Sequence, residues 1–110
     1  MRQLKRNECA ILPLVLKGKW YDMIASGEKK EEYRDAKIFW EKRIENILRH
    51  PNSIIIAFSR GYKKQDMFFI CDGIRLMHES TKSGRRKVEW GEPETPHFVI
   101  QLGERVELVD

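Results

Sequence analysis

Gly27-Glu28-Lys29-Lys30-Glu31-Glu32-Tyr33-Arg34 sets a glycine, a lysine, a glutamate and an arginine at the offsets G-x-K-x-x-E-x-R, directly after a segment with helical apolar spacing. A glycine there lets a helix end, the chain turns, and a strand follows in which side chains two residues apart share a face. Glu32 and Arg34 then lie on one face. Lys29 has the opposite parity, so it joins them only from the turn, before the strand begins. The run predicts that a cation, an anion and a fork-shaped donor converge where a strand starts.

Upstream, residues 11–16 are almost wholly apolar and read as a buried first strand, which Pro13 confines to an edge or an irregular start. In residues 19–26, Trp20, Tyr21, Met23 and Ile24 recur at helical offsets, and Gly27 supplies the left-handed residue that ends a helix. Downstream, residues 30–34 form the charged strand, and Asp35 is placed to cap a second helix with Trp40, Ile44, Ile47 and Leu48 as its apolar stripe, stopped by Pro51. Residues 53–59 and 67–71 are strong buried strands, with a turn or short loop over 60–64.

Beyond Cys71 the pattern is weaker. Asp72-Gly73 punctuates the chain, and residues 74–77 either extend a bent strand past a bulge or turn away. Residues 88–90 are a brief strand candidate and residues 91–96 a loop. Residues 98–102 and 106–109 form a hairpin or one strand kinked at Gly103. Five to seven strands and two helices make an α+β domain with a small curled sheet and helices against its openings.

A length of 110 residues with 41% hydrophobic content suits a single domain spanning the whole chain. Cys9 and Cys71 stand far apart, without zinc-type spacing, which points to a reducing compartment and away from a metal; no cofactor is expected. The basic N-terminus is not followed by a long apolar run, so the expectation is a soluble, cytoplasmic chain without a membrane span. The net charge of +4 is gathered into clusters at Arg2, Lys5 and Arg6, at Arg60, Lys63 and Lys64, and at Lys82, Arg85, Arg86 and Lys87. Such clusters serve either as solvated faces or as contacts for a polyanion.

Lys17, Trp20 and Ile24, followed by Gly27, Lys29, Glu32 and Arg34, together resemble the activating-signal-cointegrator homology (ASCH) domain. The element order of strand, helix, charged strand, helix and further strands is similar to that family over most of the chain, although nothing after Cys71 matches a motif. The resemblance implies a small β-barrel related to the PUA RNA-binding domain, with helices packed against its openings. It also implies a cleft at one end, lined by the motif, for RNA or a nucleotide-like ligand. Many members of that family are thought to bind RNA, some are ribonucleases, and one bacterial branch looks like an acetylcytidine amidohydrolase. In that branch a threonine, the proposed nucleophile, stands where this chain has Glu32, beside a lysine at the position of Lys29.

Read as chemistry, Lys29 suits a phosphate or carbonyl contact or, if desolvated, a base; Lys29 and Glu32 are the catalytic candidates of a hydrolase. As a binder, Glu32 accepts from an exocyclic amine, and Arg34 holds a phosphate or orients Glu32 through a two-pronged ion pair. An internally satisfied ion-pair group is the equal alternative. Lys17, Trp20, Tyr62, Lys63, Arg85 and Arg86 complete the candidate ligand-binding set, Trp20 and Tyr62 as stacking aromatics and the cations as backbone contacts. Trp20 also reads as core, His78 as a surface residue, and His50, before Pro51, as a helix-end residue whose partly cationic ring suits the helix dipole.

Overall fold

Along residues 9–16 the side chains alternate between two environments, Ala10, Leu12, Leu14 and Leu16 buried and their neighbours more exposed, which is the period of a strand. In the computed structural model, which describes residues 1–79 and 89–110, this strand is β2 (Cys9–Leu16). Before it come β1 (Gln3–Lys5) and a single 3-10 turn (Arg6–Glu8). After it come α1 (Gly18–Ala25), β3 (Glu31–Asp35), α2 (Ile38–Leu48), β4 (Ser53–Arg60), β5 (Met67–Met77) and β6 (His97–Val109).

The six strands form one mixed sheet in the order β1-β6-β5-β4-β2, with β3 also on β6. β6 is its spine. One edge of β6 carries β5; the other carries β3, antiparallel from Glu31↔Gln101 to Asp35↔His97, and then β1, parallel from Gln3↔Glu107 to Lys5↔Val109. Among the described residues β2 pairs with β4 alone, in parallel, which puts Pro13 on an edge strand, where a proline is tolerated. The β5–β6 register shifts twice, between Phe69 and Cys71 and between Cys71 and Gly73. Such bulges sharpen the local twist, and the sheet curls into a half-barrel with β2 at one end and, at the other, β3 and β1 along the outer edge of β6.

Leu12, Leu14, Leu16, Ile24, Ile56, Phe58, Met67, Ile100 and Leu102 fill the inside of the curl. Each such side chain contributes about 1.5–3 kcal/mol by leaving water. α1 packs against β2 and β4 and sends Ile24 into this cluster; α2 packs against β2 and buries Ile44.

The expected α+β class, with six strands and two α-helices among the described residues, is what the structure contains. Several local expectations are corrected. Asp35 ends β3 and caps nothing: the residue before α2 is Lys37, which makes no side-chain cap bond. Leu48 lies off the buried stripe, exposed at the end of α2. Two readings left open by the sequence are decided: residues 74–77 continue β5 past the bulges, and residues 98–109 belong to one strand. Glu89 and Trp90 form a turn, not a strand, and Val88, like the cluster at Lys82, Arg85, Arg86 and Lys87, lies outside the described residues.

Candidate functional site

Gly27 ends α1 with φ +84°, and its amide donates to the Ile24 carbonyl at 3.1 Å. This left-handed step turns the chain so that the Lys29 amide donates back to the Met23 carbonyl at 3.0 Å, two residues before β3 begins. Lys29 therefore escapes strand parity, as its place in the turn requires. Its Nζ donates to Glu32 Oε1 at 2.9 Å, and Arg34 Nη1 donates to Glu32 Oε2 at 2.7 Å. Cation, carboxylate and fork meet as the spacing predicts.

Lys29 and Glu32 are buried, at 2% and 4% exposure, while the Arg34 side chain keeps 17% and forms the open end of the triad. Arg34 Nη1 also donates to the Tyr33 carbonyl at 2.9 Å, and Nη2 donates to the Val15 carbonyl at 3.0 Å. The guanidinium thus spans the gap between β3 and β2, at opposite ends of the curled sheet, where no backbone ladder joins them among the described residues.

Aromatic faces surround the ammonium. Lys29 Nζ lies 4.4 Å from the centre of the Trp20 ring and 5.0 Å from that of Tyr33, contacts worth up to about 2 kcal/mol when desolvated. Gly91 lies against Trp20, where a Cβ would come within 2.8 Å of two indole carbons. Burial pushes the Lys29 ammonium below the usual lysine range; the Glu32 carboxylate opposes that shift, and the Arg34 charge adds to it. Within the triad one carboxylate serves two cations; the neighbouring Glu31 carboxylate also acts on the Lys29 charge, while it accepts from Arg75 at 3.5 Å and from the Tyr33 hydroxyl at 3.1 Å.

Behind Tyr33 lies a second buried polar group that the sequence reading missed. His97 Nδ1 donates to the Thr95 carbonyl at 2.7 Å, its Nε2 faces Glu92 Oε2 at 3.0 Å, and its ring meets Tyr33 edge-on at 5.8 Å. The alternation His97, Val99 at the start of the last strand was its one available signal, and it marks burial, not partners.

The other candidates are dispersed. Trp20 is half-buried, packed against the core cluster as its core reading expects, with one ring face on the Lys29 ammonium. Lys17 precedes α1 and is exposed, its carbonyl accepting from the Tyr21 amide at 3.0 Å. Tyr62 is 99% exposed and Lys63 is exposed, in the loop after β4, so neither touches the triad. Arg60 of that cluster is not free: it pairs with Asp22 at 3.2 Å, and its hydrogen bond holds the Asp22 carboxyl below the usual range. Arg2 and Arg6 are likewise paired, with Glu104 and Asp110. Arg85 and Arg86 lie outside the described residues. Among the described residues no group of three or more His, Cys, Asp or Glu is placed to hold a metal, and no helix is long and apolar enough to cross a membrane.

No protein-family model matches this chain, no curated protein matches it, and no solved structure matches it.

Proposed function

We propose that this chain is a small ASCH-type domain of PUA-like architecture that binds RNA or a nucleotide-like ligand at the triad of Lys29, Glu32 and Arg34, in the cytoplasm. The observation that carries this reading is the unbalanced charge within the triad: two cations share one buried carboxylate, with Trp20 on Lys29, and Arg34 opens to solvent beside the Trp40 ring. A phosphate completes that balance, and a base suits the rings.

A second reading, hydrolysis of a modified nucleoside or of RNA, is favoured by one feature. Burial lowers the Lys29 pKa, and a neutral amine accepts a proton. Against it stands Glu32, both of whose oxygens are engaged by cations, which leaves it a poor base for water.

Calorimetric titration with mononucleotides, acetylcytidine and single-stranded RNA at two salt concentrations tests both. The binding reading expects RNA affinity that falls steeply with salt, as phosphates release counterions, and that disappears in Lys29→Met and Glu32→Gln. Absent or salt-insensitive binding refutes it. Turnover of acetylcytidine or RNA, abolished by Lys29→Met in a folded protein, would instead establish the hydrolase.

A further inference from the structure

Arg34 leads outward from the triad. Its guanidinium lies 5.3 Å from the centre of the Trp40 ring, and Arg43 lies 5.4 Å from the same ring. Arg43 also covers Phe39 at 5.2 Å, and the Phe39 and Trp40 rings meet edge to face at 5.2 Å. Guanidinium and aromatic groups are therefore continuous from Glu32 to the first turns of α2. Phe39 is 57% exposed, so it is ordered by Arg43 and Trp40 and not by the core.

The charge of this surface selects its partner. On α2, Glu45 is engaged by Arg49 at 4.0 Å, and Glu41, Lys42 and Arg43 form no ion pair among the described residues, so these three neighbours leave one net positive charge. An exposed ring beside two cations that form no ion pair suits stacked bases and phosphates. An apolar protein partner would leave those cations desolvated and unpaired.

We infer that the N-terminal half of α2 is a second contact for a single-stranded nucleic acid that starts at the triad. The strand crosses Arg34, a neighbouring base stacks on Phe39 against Arg43, and Lys42 takes the backbone. This inference rests on the triad reading and gives its ligand a length and a direction.

The test compares a dinucleotide with an oligonucleotide of about eight nucleotides, a span typical of single-strand sites. Both are fluorescently labelled and titrated against the wild type, Phe39→Ala, Arg43→Ala and Lys29→Met, with circular dichroism confirming that each variant is folded. Phe39→Ala and Arg43→Ala should each weaken the longer ligand about ten-fold and leave the dinucleotide unchanged. Arg43→Ala should also lower the salt slope of the longer ligand by about one. Wild-type affinity of the α2 variants for the longer ligand overturns the inference alone, and is the outcome expected if this face serves a protein. A wild type that binds neither ligand overturns both readings. Losses in the α2 variants with full binding by Lys29→Met would support the α2 surface and remove the triad.

Discussion

Lys29 occupies surroundings that pull its charge both ways: burial and the nearby Arg34 disfavour the ammonium, while one carboxylate and two ring faces favour it. Its folded pKa lies below the ordinary 10.5, so between the two values the unfolded chain binds more protons and stability rises with pH. The penalty is complete below the folded pKa and gone above 10.5. Urea unfolding of the wild type and Lys29→Met should therefore show a stability difference that moves in favour of the wild type as pH rises through that window. A difference independent of pH would contradict the placement of this side chain. Lys29, Glu32 and Arg34 were legible as a group because parity and a turn depend only on offsets along the chain. The partners of Arg34 and Lys29 on other elements, the Val15 carbonyl and Trp20, depend on where a distant strand and a helix come to rest.

At the scale of elements, the helix-ending glycine was readable and the loop glycine was not. Gly27 and Gly91 both have positive φ, but space is open around the first, whereas the second lies against Trp20. Gly91→Ala should therefore cost about 1–3 kcal/mol through overpacking, beyond the backbone strain that Gly27→Ala also incurs. Thermal unfolding of the two variants, with tryptophan fluorescence reporting on Trp20, checks this; equal losses would show that the Gly91 contact does not matter. The strongly patterned elements, β2, α1, β3, α2 and β4, were legible nearly to their ends because each carries its own period. β1 was not, since three residues define no period, and its pairing with β6 spans the length of the chain. The continuation of β5 was left open by the sequence because bulges interrupt the alternation and only the partner strand resolves it.

For the molecule as a whole, the decisive feature is a sheet whose opposite ends, at β2 and β3, are bridged by a guanidinium instead of a ladder. Arg34→Met should spare the Lys29–Glu32 pair yet free that seam, at a cost of about 1–3 kcal/mol from the charge-assisted hydrogen bonds lost. Hydrogen exchange should quicken first along β2 and β3 while β4 and β5 stay protected; uniform protection would mean the bridge is incidental. The sequence by itself determined the α+β class, the order of the main elements and the convergence of a lysine, a glutamate and an arginine, because all three follow from local periodicity and spacing. Only the tertiary structure decided that β6 is the spine, that Arg60 is spent on Asp22, that His97 and Glu92 are buried together, and that Arg34 leads to an exposed ring on α2. Those contacts join residues far apart in the chain, and it is the curl of the sheet, not any neighbouring residue, that brings them within reach.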